Sequence, residues 1–342
     1  MTDPLLQTFQ LKHLHLKNRI ITTSHEPAYN EDGFPKDRYI AYHLERAKGG
    51  IAMTMTAGSA VVSRDSPPSF DNIHAYKDEV VPWIKKLTDT IHDQDCKIMI
   101  QLTHLGRRTS WSKGDWLPSL SSGKHREPAH KAFPKVMESW DIERIIKEYG
   151  DAAERMKQGG MDGVELEGQG HLIGQFLSPL TNELNTEYGG SLENRLRFTI
   201  EVLSDIRKKV GQDFIVGIRC VFDEVEEGGI TKSEGLKIAK ILSDSGLVDY
   251  LNVNKGRIHT DPILTKHIPI QGMKSAPHLE FAGEIKKGIK IPIFHASKIS
   301  DVATARYAIS NGLVDMIGMT RGDLADPHIV SKIKEKREDD IR

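Results

Sequence analysis

The chain has 342 residues, a net charge of −1 and 28% charged residues, so it offers neither the basic surface of a nucleic-acid binder nor an acidic tail. The opening MTDPLLQTFQ lacks the cationic and apolar regions of a secretory signal, and no apolar run reaches the roughly 18 residues a membrane helix needs. Cys96 and Cys220 sit in apolar strand-like runs without metal-ligand spacing, which predicts buried free thiols, a cytoplasmic chain and no protein-bound metal.

In chain order, residues 5–17 alternate with period 2, the pattern of a hairpin closing the bottom of a barrel. Short apolar runs follow at 19–25, 51–57, 97–102, 162–167, 214–219, 249–254, 291–295 and 314–318. Several are apolar at successive positions, as strands covered on both faces are. Helix-length amphipathic segments separate them. Segment 79–94 spaces Val80, Trp83, Ile84, Leu87 and Ile91 helically, and 191–209 opens on the N-cap Ser191 with Glu193 in its first turn. Segment 233–245 is expected to start at Ser233 and stop at Gly246. Eight strands alternating with helices predict an α/β protein, a (β/α)8 TIM barrel with an N-terminal β-hairpin. It is expected as one domain over 1–342, since such barrels hold ~250 residues or more around one core. The mixed-charge tail 333–342 is expected to fray.

Two connections are long, 103–139 with Trp111 and Trp116, and 168–190. Long loops after barrel strands belong to the C-terminal face, where barrels carry their active sites, so Trp111 is a candidate substrate contact. The loops after strands seven and eight, His295-Ala296-Ser297-Lys298 and Met319-Thr320-Arg321-Gly322, stand where barrels bind phosphate through backbone N–H groups. Arg219 closes the fifth strand, and an arginine leaving an apolar strand needs an anion or a solvent outlet.

The segments NRI at 18–20, RAKGG at 46–50, QLTHLGR at 101–107, QFLSP at 175–179, YGGSLENRLRF at 188–198 and IGMTRGDLADP at 317–327 resemble the Old Yellow Enzyme family of FMN oxidoreductases. They occur in the family's order across almost the whole chain. Within that family the chain is most similar to the trimethylamine dehydrogenase branch, and there to the dimethylglycine and N-methylproline demethylase-like proteins. The resemblance implies an FMN phosphate cradle of Ala296, Ser297, Lys298, Thr320 and Arg321, although the family usually has glycines where Ser297, Lys298 and Thr320 stand. It also implies that Arg219 and Gln101 face the flavin's pyrimidine edge, that Thr23, Ser24 and His25 lie beneath the flavin, and that Ala57 packs beside it.

Departures from the family point to the chemistry. Glu26 aligns with the cysteine that bonds FMN covalently in trimethylamine dehydrogenase, so the flavin is expected to be noncovalent. Ene-reducing relatives carry His-x-x-His or His-x-x-Asn followed by a proton-donating tyrosine. Here the chain reads Glu167-Gly168-Gln169-Gly170-His171, which puts His171 at the tyrosine's place and Gln169 at the second partner's. Glu26, Glu167, Gln169 and His171 are therefore the catalytic candidates, suited to a cationic amine, with His171 placed to accept a proton. Lys255 and Arg257 replace the branch's aspartate region and form a basic pair able to grip a carboxylate.

The leading expectation is oxidative N-demethylation of a small methylated amine or amino acid, with hydride passing to FMN and the iminium hydrolysing to formaldehyde. The alternatives are an NAD(P)H-dependent ene reductase and a flavin-free phosphate-binding barrel. A [4Fe–4S] cluster, which follows the barrel in the demethylase branch, is implied only if the chain is part of a longer protein. A stand-alone barrel would be reoxidised by a nicotinamide, oxygen or a separate carrier. A small-molecule substrate, an electron acceptor or NAD(P)H, and optionally a second copy of the chain are the expected partners; nucleic acid and membrane are not.

Overall fold

A computed structural model describes residues 3–66, 71–108, 117–129, 131 and 133–342. Strands β1 (Phe9–Leu11) and β2 (Leu14–Leu16) form the expected antiparallel hairpin. Eight parallel strands then close a barrel among the described residues. They are β3 (Ile20–Thr22), β4 (Met53–Val61), β5 (Lys97–Thr103), β8 (Gly163–Gly168), β9 (Ile215–Val221), β10 (Tyr250–Asn254), β11 (Ile293–Ala296) and β12 (Met316–Gly318). All eight apolar runs became barrel strands. A short parallel pair that the sequence did not suggest, β6 (Leu120–Ser121) with β7 (Lys135–Val136), lies in the long connection after β5.

Helices α1 (Asp37–Lys48), α2 (Val81–His92), α3 (Ser139–Gln158), α4 (Leu172–Leu177), α5 (Leu192–Val210), α6 (Lys232–Asp244), α7 (Asp261–His267), α8 (Leu279–Lys287), α9 (Val302–Ser310), α10 (Thr320–Ala325) and α11 (Ile329–Lys334) alternate with the strands. Ser191 caps α5 as expected, accepting from Asn194 N. For α6 the cap is Thr231, which accepts from Glu234 N, so the helix starts before Ser233. Thr231 and Ser233 are both hydroxyl residues, and the choice fell to the one at which the backbone is still extended.

Two apolar cores explain why the strands are buried on both faces. One fills the space between barrel and helices. The other fills the barrel's lower interior with Ile21, Met53, Met55, Met99, Ile215, Tyr250, Phe294 and Met316, plugged from below by Leu11, Leu14 and Leu16 of the hairpin. Tyr250 and Phe294 stack there with ring centroids 4.0 Å apart. A Cβ at Gly217 would meet the Tyr250 ring at 2.1 Å, so the glycine on β9 makes room for the large ring on β10.

Residues 333–342, expected as a charged tail, make contacts with the rest of the chain: Arg306 pairs with both Asp3 and Glu338, Lys332 donates to the Asp340 carbonyl at 2.7 Å, and Arg342 N donates to Asp326 at 3.3 Å. Charge patterning alone could not reveal this, because Arg306 and its partner Asp3 lie 303 positions apart. Cys96 and Cys220 are buried free thiols. Among the described residues no helix is long and apolar enough to cross a membrane.

Candidate active site

Apolar side chains fill the barrel's lower end, and polar ones crowd its C-terminal end. The ends of β3, β9, β10, β11 and β12 border an open cavity with ≈ 730 Å³ of empty space. Its walls include Thr23, Ser24, His25, Arg219, Ala296, Ser297, Lys298, Thr320 and Arg321, together with Asn254, His267 and Gly318. Nine residues singled out from the sequence, 23–25, 219, 296–298 and 320–321, thus share one cavity.

The cradle's shape follows from local packing. A Cβ on Gly318 would lie 2.5 Å from Thr23 Cγ2 and 2.6 Å from Ala296 Cβ, so glycine lets the three loops converge. Lys298 holds φ at +55°, the left-handed conformation that a glycine adopts freely, which accounts for the usual glycine at this place. Thr320 Oγ1 accepts from Thr23 N at 3.0 Å and lies 2.7 Å from Thr23 Oγ1, pinning the β3 loop to α10. Ser297 Oγ lies 3.0 Å from His278 Nδ1. Lys298 donates to the Met273 carbonyl and Arg321 to the Pro269 carbonyl at 2.9 Å, so both cations also hold the 269–273 loop over the cavity.

Two donors on this cavity are buried without a hydrogen-bond partner, Arg219 Nε and Ser24 Oγ. An unsatisfied buried donor costs about 1–3 kcal/mol, so such groups mark a place built for a polar ligand. The pyrimidine edge of a flavin presents carbonyl acceptors, which suits both donors. His25 is tied down otherwise: Nε2 lies 2.5 Å from Tyr42 Oη and Nδ1 3.1 Å from the Thr23 carbonyl. Burial holds its imidazole neutral, with the pKa lowered to about 4.

Below the cavity, β8 turns two carboxylates inward at period 2. Glu165 is fully buried and accepts from Gln101 Nε2 (2.8 Å), Asn252 Nδ2 (2.9 Å) and Tyr250 Oη (3.0 Å). Gln101, expected at the flavin, therefore spends its NH2 group on Glu165. Above it, burial pushes Glu167 up to about 8, against the opposing pull of Arg219. Gln169 N donates to its carboxyl at 2.5 Å. Glu167 thus keeps its proton through neutral pH, where an anion was expected.

A second cavity of ≈ 480 Å³ lies beside the first. Gln169, Gln175, Ser178, Thr181 and Glu224 line it together with Arg107, Arg108, Glu127 and Arg257. The partition between the cavities is a contact: the Gln169 side-chain amide lies 3.0 Å from His267 Nε2. Burial, reinforced by Arg219, lowers His267 to about 3. This neutral ring has Nδ1 3.0 Å from the Lys255 carbonyl.

The remaining expected residues take other partners. Arg257 lines the second cavity but pairs with Glu224 (3.2 Å) and Glu226 (2.9 Å), so its charge is already met. Lys255 lines neither cavity; it pairs with Asp223 at 2.8 Å and lies over the Phe281 ring. The two therefore do not act as a basic pair. His171 precedes α4, lies 3.2 Å from Thr103 Oγ1 and lines neither cavity. Glu26 closes its own loop, accepting from Ala28 N (3.0 Å) and Asn72 Nδ2 (3.4 Å), and burial raises its pKa to about 8. Ala57 falls where the β4–β5 register shifts between Thr56 and Ala60, an irregularity typical of barrel rims near active sites. Trp111 lies outside the described residues.

Sequence reading passed over Glu165, His267, Arg107 and Arg108. For Glu165 a signal existed, since GVELEG sets both glutamates on one face of a strand. The Arg107-Arg108 doublet just past a strand end was a second one.

This arrangement, a barrel whose C-terminal mouth holds an open pocket lined by Arg219 and the loops after β11 and β12, defines the class. The chain belongs to the NADH:flavin oxidoreductase / NADH oxidase family, which matches residues 4–340. It is 65% identical over 99% of its length to a probable N-methylproline demethylase of Rhizobium meliloti. It is 46% identical over its full length to a multifunctional alkene reductase/demethylase of Caballeronia cordobensis, and 38% identical over 99% to an N,N-dimethylglycine/sarcosine dehydrogenase of Chromohalobacter salexigens. The chain spans about half the length of these relatives, 50%, 50% and 49%. Among solved structures, 2-naphthoyl-CoA reductase matches all of the chain with a TM-score of 0.92 and 28% identity, over 53% of its own length. Morphinone reductase, at 21% identity and a TM-score of 0.82, shares the fold over 97% of this chain and 91% of its own.

Proposed function

We propose that the chain binds FMN noncovalently and oxidises a small N-methylated amine or amino acid, whose methyl carbon leaves as formaldehyde. FMN in the larger cavity would supply an acceptor for hydride from that methyl carbon. The residues at hand suit this cofactor. Arg219 and Ser24 offer unpaired donors, and the loops of β11 and β12 offer backbone N–H groups beside Ser297 and Thr320. Neither cysteine lines the cavity, which favours a noncovalent flavin.

The observation that carries the substrate reading is the smaller cavity. Its walls set guanidinium groups beside carboxylates, which complements a zwitterion, and no tyrosine stands among its described lining residues to protonate an alkene. Gln169 and neutral His267 separate the two cavities and position the reacting end without adding charge. Glu167 beneath them lines neither cavity and acts through Gln169, whose backbone N–H its carboxyl holds.

Anaerobic stopped-flow mixing tests the reading. Candidate N-methyl amino acids are expected to bleach the flavin. Bleaching by none of them, with rapid reoxidation of reduced enzyme by an enone, would instead establish the ene-reductase alternative. That second reading draws support from the Caballeronia relative, whose name joins both activities. Absence of flavin absorption after reconstitution with FMN would reject both.

A further inference from the structure

We infer that Arg107 and Arg108 form an anion site in the smaller cavity that grips the substrate's carboxylate, the role the sequence assigned to Lys255 and Arg257. The inference rests on the proposed function only for the rest of the substrate. After β5 the chain reverses at Gly106, whose φ is +61° and where a Cβ would meet Gln175 Oε1 at 2.3 Å. Arg107 N donates to the same Oε1 at 3.1 Å, so the turn is held against α4 and two consecutive guanidiniums enter the cavity wall.

Their surroundings leave charge unmet. Arg107 is only 7% exposed, and the partner of its guanidinium is the His125 carbonyl at 3.3 Å. Arg108 donates to the Ile258 carbonyl, and its Nε is buried without a partner. Among the described residues neither has a carboxylate at ion-pair distance, whereas Arg257 on the same wall has two. Burial pushes both guanidiniums below their usual range; Arg257 adds to this at Arg107, and Glu127 opposes it at both. Two guanidiniums facing one buried carboxylate leave about one positive charge in a poorly solvated place, which is costly until an anion arrives.

A monocarboxylate answers that charge, and the planar guanidinium fork matches its two oxygens. On the side facing the larger cavity, the wall of this one is Gln169, which meets His267 of the larger cavity. A carboxylate held at Arg107 and Arg108 therefore leaves the amine end of the molecule toward the flavin side. The site selects amino acids over simple methylamines.

Calorimetry on the FMN-loaded protein at pH 7 tests this with L-proline and L-prolinamide, neither of which has a methyl group to oxidise. L-Proline is expected to bind at least tenfold more tightly than the amide. Arg107→Met and Arg108→Met are each expected to weaken L-proline at least tenfold and to leave the amide unchanged, with wild-type flavin absorbance reporting an intact fold. Should either fail to fold, Arg108→Lys keeps the charge but loses the fork, and is expected to weaken L-proline several-fold. Equal affinity of wild type for both probes, or L-proline binding indifferent to these substitutions, would overturn the inference. Selective L-proline binding without flavin bleaching by any N-methyl compound would uphold the carboxylate site and remove the demethylation.

Discussion

The two cavities at the barrel mouth are built by different means. The larger one is a cradle of short side chains and backbone at the ends of β3, β11 and β12, pinned by Thr23–Thr320 and opened by Gly318. The smaller one brings Arg107, Arg108, Glu127, Glu224 and Arg257 together from loops far apart in sequence, and its character depends on which charges find partners. Arg257 and Lys255 find them nearby; Arg107 and Arg108 do not. The cradle is thus specified by local geometry, and the smaller cavity by a competition among charges.

Arg219 gives the sharpest test of that division. Arg219→Met removes the unpaired donor of the larger cavity and is expected to weaken FMN by about 10²-fold, from two charge-assisted bonds at ~1.5 kcal/mol each. Arg257→Met, on the smaller cavity, is expected to shift FMN affinity by no more than a few-fold. Fluorescence titration of FMN measures both, and equal losses would break the comparison.

Glu165 lies beneath the larger cavity, and its removal should act on stability. Glu165→Ala strands three donors, on Gln101, Asn252 and Tyr250, and is expected to cost about 3 kcal/mol or more in chemical denaturation. Loss of the smaller cavity's selectivity without loss of stability would show that Glu165 serves the site instead of the barrel.

The pH dependence follows from carboxyls raised by burial, Glu167 and Glu26 to about 8 and Asp323 to about 7. Between their unfolded values, 4.5 for the glutamates and 3.8 for the aspartate, and these folded ones, the native state binds more protons than the unfolded chain. Stability therefore falls as pH rises through that window. Thermal melts of the apoprotein are expected to decline from pH 5 to pH 8, and Glu167→Gln is expected to flatten part of the slope. A melting temperature that rises over this range would contradict a protonated Glu167.

The smallest effect is the control far from both cavities. Thr231→Ala removes the α6 cap and is expected to cost about 1 kcal/mol. Ser233→Ala, at an exposed position inside the helix, should stay within about 0.5 kcal/mol. Equal costs would return the helix start to Ser233.

The barrel was legible because eight apolar runs of strand length are separated by amphipathic helices, and that pattern has one compact solution. The cradle was legible because its position follows from strand count. Lys298 shows the limit: its departure from glycine was visible in the sequence, while the left-handed φ it sustains was not. Gln101 and Glu165 show another. Their pairing across β5 and β8 depends on register, which no local pattern around either residue states.

The sequence alone determined the eight-stranded barrel with its hairpin plug and the position of the polar mouth, because periodicity and strand order are local properties; nine of the residues lining the larger cavity were named through the family resemblance. The tertiary structure decided which charges are met. It paired Lys255 with Asp223 and Arg257 with Glu224 and Glu226, and it left Arg107 and Arg108 facing the smaller cavity. It also buried Glu167 deeply and Glu26 partly, which raises both carboxyls to about 8. The physical reason is that a side chain's charge state and availability depend on desolvation and on partners, and folding brings both from distant parts of the chain.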